Sequence, residues 1–477
     1  MTVFSLATIP TQRFSIRPHY NLDRVTDVHD ASGMNDKEHR IMDTPGFRTG
    51  VKLAVLVVLL LVFIVPLEMI SSLVWERQGR EAQTRQELVD LHGGRQTVIG
   101  PLLMVPVTVR IVDDQGTQRE EAREVAVLPV GMESRISIEP EVLRRGIYEV
   151  PVYRAGISMS ARFELPEADG LPVNGLVRVD WSKAQLVLGI QRASGLRTLP
   201  VATVNGVGRP ITSSRRDLGW SHAGFAIPLH GAQPGGMHDL DLTFHLYGGG
   251  SFHLVPTAGN ASVTMESSWA SPSFTGAMLP SSRTLSDAGF DAHWETTSLG
   301  MGMPESWQSD GRAYWLSENT VGLVLYQPVG SYQQTTRSVK YGILFVLLPF
   351  VALFLLEIFT GTQIHPIQYL MVAAAKTIFY LLLLSLGEQI GFTAAYWIGA
   401  AATTLLIAGY LFGLVTRKRH ALLLAGMVAA EYLFLFAALQ SEDYALLIGS
   451  TGLFALLAVV MLITRKVNWY RPATRVP

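Results

Sequence analysis

Residues 53–73, LAVLVVLLLVFIVPLEMISSL, decide what kind of protein this chain is. A helix of that length, rising 1.5 Å per residue, matches the roughly 30 Å hydrocarbon core of a bilayer. Pro66 and Glu68 interrupt the run, both in its C-terminal half, where a kink or a partnered carboxylate is tolerable. A cleaved signal peptide fits poorly. The run is longer than an h-region, begins only at residue 53, and leads into charged helix-forming sequence instead of small cleavage-site residues.

Five more apolar runs follow residue 335, at 340–359, 366–386, 390–414, 420–439 and 444–463, so six spans are expected in a one-plus-five arrangement. Cytoplasmic segments of membrane proteins are rich in Lys and Arg, and here the basic residues alternate cleanly. Arg48 and Lys52 precede the first span, Arg417, Lys418 and Arg419 join the fourth and fifth, and Arg465, Lys466, Arg471 and Arg475 follow the sixth. The opposite connections, 387–389 and 440–443, hold Glu388, Glu442 and Asp443 but no Lys or Arg. Both termini are therefore expected in the cytoplasm and the long middle segment in the periplasm.

Charged residues are 16 % of the chain and hydrophobic ones 48 %, with a mean hydropathy of +0.27, the balance of a protein partly dissolved in lipid. A formal net charge of -1 supplies no basic excess for nucleic acid. The absence of cysteine excludes disulfides, thiolate metal sites and cysteine nucleophiles. The expected fold is a multi-pass α-helical membrane protein with a large periplasmic β-rich domain built mainly from antiparallel sheet. Its parts are a disordered cytoplasmic tail (1–50), the first transmembrane helix (51–74), the periplasmic domain (75–338), the five-helix bundle (339–464) and a cytoplasmic tail (465–477). Met34 and Met42 lie nearer the first span than Met1 and are candidate alternative starts.

Residues 75–92 read as a helical continuation of the first span, with Glu81 four residues before Arg85, stopped by Gly93 and Gly94. Thereafter the period becomes two. Val107, Val109 and Ile111 alternate before Asp113-Asp114-Gln115-Gly116, and Leu240, Leu242, Phe244 and Leu246 alternate before Gly248-Gly249-Gly250. Each reads as a hairpin. Short strands are also expected around 135–138, 156–163, 185–191, 262–265 and 321–326, giving a sandwich or a pair of sheets.

This segment contains no His-Glu-x-x-His helix, no Gly-x-Ser-x-Gly elbow and no phosphate-binding Gly-x-x-x-x-Gly-Lys. His222, His230, His238, His245, His253 and His293 lack ligand spacing and read as surface or core residues. No catalytic residue, cofactor or metal is expected.

The ionisable residues within the spans carry more information, because charge in hydrocarbon is expensive and usually partnered or functional. Lys376 lies ten residues into the third span and Glu431 eleven into the fifth, a shared depth of about 15 Å. An ion pair is expected, as structural glue or, alternatively, as part of a proton or substrate pathway. Glu68 should lie in the outer leaflet, Glu357 near the cytoplasmic face and Glu388 at the outer mouth, the last two free to reach the interface. Small residues at Gly391, Ala395, Gly399, Thr403, Gly409 and Gly413 mark a packing face on the fourth span.

Longer motifs complete the reading. His365-Pro366-Ile367-Gln368-Tyr369-Leu370, Phe379 to Leu384 leading to Glu388, Glu442-Asp443-Tyr444-Ala445-Leu446-Leu447 and Asn468-Trp469-Tyr470 occur in the C-terminal part. Glu357 stands among the same family-motif positions. Ile99-Gly100-Pro101, Gly146-Ile147-Tyr148, Ser271-Pro272-Ser273-Phe274 and Pro328-Val329 through Tyr332 to Lys340-Tyr341 occur in the soluble part. In these the chain resembles the CreD family of Gram-negative inner-membrane proteins over about residues 50–470. Departures are the long N-terminal tail, Lys376 in place of an apolar residue and Gln389 in place of a histidine. The resemblance implies a protein made under a carbon-source-responsive sensor kinase and regulator, whose loss or excess affects cell envelope integrity, tolerance to some colicins and β-lactam susceptibility, and it implies no reaction.

The expected function is therefore binding or scaffolding by a periplasmic domain tethered at both ends, with the lipid bilayer and an unidentified envelope protein or glycan as partners and no nucleic acid. The rival is a membrane enzyme or transporter for a lipid-linked or hydrophobic substrate, using Lys376, Glu431, Glu388 and the His365 region. Oligomeric state is not encoded legibly.

Overall fold

The computed structural model describes residues 45–112, 117–216, 218, 223–309, 316, 318–325, 330–415, 417–441 and 445–465, without the side chains of 45–49 and 445–446. The expectations for residues 1–44 of the N-terminal tail, the 113–116 turn, His222, Pro328-Val329, Glu442, Asp443, Tyr444 and the residues after 465 lie outside these, whereas residues 45–50, expected in the disordered tail, are helical.

α1 (Pro45–Leu91) is one continuous helix of 47 residues, about 70 Å long, with Pro66 inside it. Apolar residues carry it to Val74. Beyond, the i,i+4 pairs Glu76–Arg80 and Glu81–Arg85 sustain it in water. It ends where Gly93 and Gly94 adopt φ of +121° and +80°, and a side chain at Gly93 would strike the Tyr247 carbonyl 2.3 Å away.

Two sheets follow. The first has the order β14 (Pro272–Gly276), β18 (Val321–Leu325), β12 (Ser251–Val255), β1 (Gln96–Val112), β6 (Gln185–Ile190), β10 (Ala223–Pro228) and β9 (Thr212–Ser214). β2 (Gln118–Val127) and β5 (Leu176–Val179) also pair with β1, and β17 (Ser306–Gln308) with β2. The second runs β15 (Ser282–Ser286), β16 (Gly289–Thr297), β13 (Asn260–Ser267), β3 (Gly131–Arg145), β4 (Tyr148–Glu164), β11 (Met237–Gly249), β7 (Val201–Val204) and β8 (Val207–Gly208). Pairing is antiparallel except for β1 with β12 and β3 with β13. Leu240, Leu242, Phe244 and Leu246 point inward along β11 while their neighbours point out, and they share one core with Leu102, Leu103, Leu186 and Phe252 of the first sheet.

The first expected hairpin is present, with β1 and β2 in register from Leu103↔Val127 to Val112↔Gln118. The second is corrected. β11 and β12 do not pair with each other: β11 pairs with β4 and β7, and β12 with β1 and β18. The glycine run, with Gly250 at φ +76°, carries the chain from one sheet to the other.

After the sheets come α2 (Ser331–Lys340), α3 (Gly342–Thr360), α4 (Pro366–Ile390), α5 (Phe392–Leu414), α6 (Lys418–Gln440) and α7 (Ala445–Thr464). Among the described residues six helices are long and apolar enough to cross a membrane: α1 and α3 to α7. α4 is the centre of the bundle, in contact with α1, α2, α3 and α5, and buries a broad face while Ile367, Met371, Ile378 and Leu381 remain exposed on the opposite side. α7 packs on α6 and is exposed over most of its surface. The β domain rests on the same helices. Val89 of α1 packs with Val150 and Val152 of β4, Arg145 of β3 pairs with Glu87, and Tyr148 packs against the bundle core.

Candidate functional site

The structure brings Lys376 of α4 and Glu431 of α6 together, Nζ to Oε2 at 2.8 Å, with both side chains at 3 % exposure or less. An aromatic shell closes around them. The Lys376 ammonium lies 4.1 Å from the centroid of the Tyr432 ring and 5.8 Å from that of Phe345. Phe379 stacks edge-on against Tyr380 and Tyr396 at 5.1 and 5.5 Å and tilts on Tyr432 at 4.7 Å. The Tyr396 hydroxyl donates to the Tyr432 carbonyl at 2.7 Å, tying α5 to α6. Glu431 Oε1 and the Tyr432 hydroxyl are buried without a hydrogen-bond partner among the described residues. The site is a charged pair inside packed rings.

The family-motif residues divide between the two rims of the bundle. At one rim His365 is the N-cap of α4: its Nδ1 accepts from the Ile367 amide at 3.3 Å while Gln368 Oε1 accepts from the His365 amide at 2.8 Å. Pro366 occupies the first helical position, where its missing N–H costs nothing. Beside this cap the Lys52 ammonium of α1 donates to both oxygens of Glu357 and to the Ile364 carbonyl, and the Tyr369 hydroxyl donates to Glu357 at 3.2 Å. At the other rim Glu388 accepts from the Tyr332 hydroxyl of α2 at 2.9 Å and lies 3.8 Å from the Arg77 guanidinium of α1. Burial, and then the Glu388 carboxylate, hold the Tyr332 phenol well above its ordinary range, so it remains a proton donor. Neither Glu357 nor Glu388 reaches freely into water. Each is spent on holding α1.

Of the small residues on α5, Ala395, Gly399 and Thr403 are buried, and a Cβ at Gly399 would stand 3.3 Å from the Phe379 ring. Gly391, Gly409 and Gly413 are exposed, with nothing within 4 Å of an added Cβ. The buried face continues through Ile407 and Leu411 instead.

In the β domain His253 bonds to Thr275 at 2.9 Å, His293 to Thr264 at 3.2 Å and His238 to Asn205 at 3.3 Å. Burial lowers His253 and His238 below the ordinary imidazole value. Among the described residues no three His, Asp or Glu side chains come together as a metal site requires. On the outer face of the second sheet an open trough of about 580 Å³ is lined by Ser137, Glu139, Glu266, Thr284 and Asp291.

Sequence reasoning missed the partners. Lys52 enters the sequence reading only as an orientation charge and Tyr332 and Tyr380 only as motif letters, while Arg77, Tyr396 and Tyr432 are not singled out. The available signal was their position at span ends, next to Lys376 and Glu431 on α4 and α6, or beside the small residues of α5.

A β sandwich carried on one long helix and seated on a bundle of apolar helices defines a multi-pass membrane protein whose polar motif residues lie at helix ends and helix contacts. Residues 48–470 match the family described as Inner membrane protein CreD, and the chain belongs to that family. It is 28 % identical over 414 residues to Inner membrane protein CreD of Escherichia coli (strain K12), covering 86 % of this chain and 91 % of that one. An M1 zinc metallopeptidase from Deinococcus radiodurans aligns with 35 % of this chain and 39 % of its own at 12 % identity and a TM-score of 0.18, a likeness that carries no argument.

Proposed function

We propose that this chain is a non-enzymatic inner-membrane scaffold that supports envelope integrity by presenting its β domain on the periplasmic side to another envelope component. The observation that carries the reading is the use made of the polar motif residues. His365 and Gln368 cap a helix, Glu357 and Glu388 pin the two ends of α1, and Lys376 and Glu431 neutralise each other within stacked rings. A transporter needs such groups to face a path, and an enzyme needs them to face substrate. Here Glu357, Glu388, Lys376 and Glu431 face other helices, and His365 and Gln368 cap their own. Holding α1 at both rims confines the domain near the bilayer, which raises its effective concentration toward partners there.

The basic residues at Lys52, Arg417, Lys418, Arg419 and Arg465 favour cytoplasmic termini and a periplasmic domain. The chain has no cysteine, so any introduced one is unique. A membrane-impermeant maleimide should label Ser137→Cys in cells with permeabilised outer membranes and leave Arg419→Cys unlabelled until the inner membrane is opened. The reverse pattern sinks the topology. For the partner, a photocrosslinker at Thr284 in the trough should capture one envelope component whose loss mimics loss of this chain. Loss of envelope phenotype in a well-expressed Lys376→Met/Glu431→Leu variant would instead favour transport or catalysis.

A further inference from the structure

Glu68 is the intramembrane carboxylate without a partner. No hydrogen bond or ion pair joins it to another described residue, and it is exposed on α1, whereas Leu67 and Ile70 beside it are buried against the bundle. Its depth follows from the pinned rims. Glu68 lies nine residues below Arg77 and sixteen above Lys52, so it sits ~13 Å from one rim and ~24 Å from the other at 1.5 Å per residue. With a hydrocarbon layer of roughly 30 Å centred between those rims, its Cα is about 10 Å inside the nearer boundary.

Reaching water from there is obstructed by helix geometry. Every Cα–Cβ bond tilts toward the helix N-terminus, so the Glu68 side chain leans back toward Lys52, deeper into the hydrocarbon and away from the nearer surface. A short carboxylate has none of the reach by which Lys or Arg escapes. The surrounding face is otherwise suited to a helix contact: Leu61, Val65 and Met69 are 56, 61 and 68 % exposed, and exposed Ser72 follows Glu68 by one turn.

We infer that this face of α1 docks a spanning helix of a different membrane protein, one that brings a basic residue to the level of Glu68. Charge complementarity selects that occupant. A second copy meeting the same face about a twofold axis would set carboxylate near carboxylate, and lipid chains offer no counter-charge. The inference adds an intramembrane contact to the scaffold reading and depends on that reading only for the existence of a partner.

A photocrosslinker placed at Val65 or Met69 of the full chain in living cells tests it, with buried Ile70 as the control that reports the chain's own bundle. The expected product joins α1 to a spanning segment of another protein containing Lys, Arg or His. Its yield should fall in Glu68→Gln and Glu68→Leu while chain abundance and the Ile70 product persist, since Glu68 supports no internal contact. Exchanging the charges, Glu68→Lys here with an acidic residue in the partner, should restore it. Products with phospholipid alone, with a second copy, or with yields indifferent to the residue at 68 overturn the inference. The periplasmic capture at Thr284 can fail without affecting this result, so the two proposals separate.

Discussion

Removing one member of the Lys376–Glu431 pair should damage the protein far more than removing both. In Lys376→Met the chain keeps nearly the same volume at a position 1 % exposed, but Glu431 Oε2 loses its 2.8 Å donor and Oε1 already has none. Breaking a buried pair in this way costs about 3–5 kcal/mol, roughly two to four orders of magnitude in a folding equilibrium. Lys376→Met/Glu431→Leu removes both charges and leaves rings around an apolar contact, a change expected to lie between neutral and about 4 kcal/mol stabilising. The assay is the fraction of chain that stays monodisperse in detergent after heating, together with its abundance in membranes. Single variants should lose abundance and the double variant should recover it. A Lys376→Met chain as heat-resistant as the parent, or a double variant worse than either single one, would refute the claim that the pair is glue.

Gly399→Leu should destabilise the α4–α5 contact by about 1–3 kcal/mol because its side chain must displace the Phe379 ring, whereas Gly409→Leu, with nothing within 4 Å, should leave membrane abundance unchanged. Glu357→Gln weakens the grip on Lys52 at one rim and should raise protease cleavage near the start of α1 while the β domain stays folded; unchanged cleavage would mean the pin is idle. His253 bonds to Thr275, and burial sets its folded pKa below the ordinary 6.5. The unfolded chain therefore binds the proton first, and stability present above about pH 6.5 should be lost as pH falls from there toward the folded value. His253→Gln should flatten that acid-side decline in the unfolding temperature of the full chain.

The apolar helices were legible because runs of about twenty oily residues form hydrogen-bonded helices in lipid and have few other stable forms. Their ends were less so. The third run was expected to stop at 386, yet α4 continues to Ile390 because Gly387 is tolerated inside a helix and the break falls at Gly391, where φ is +79°. Alternation along residues 240–246 revealed a strand but not its sheet, since period two records which side faces the core and is silent about the neighbour. Hence the glycine run after β11 looked like a hairpin turn and is a passage between sheets. Shared depth was enough to connect Lys376 with Glu431, whereas Lys52 and Glu357 are 305 residues apart with the whole β domain between them. Nothing local encodes such a contact.

Glu431, Glu357, Glu388 and Glu68, four described carboxylates in or at the edges of the spans, can be sorted by a single physical criterion, what each finds in place of water. Glu431 finds Lys376, Glu357 finds Lys52 and Tyr369, and Glu388 finds Tyr332 and Arg77. All three are paired with residues of the same chain, so their free energy goes into fixing helices, and α1 in particular is held at points ~37 Å apart. Shifting α1 at either point breaks one of these ion pairs. Glu68 finds no internal partner and contributes nothing to this rigidity. A group that is costly in lipid and useless to the fold is one whose balance must close elsewhere, and on α1 the open direction is outward, toward another helix.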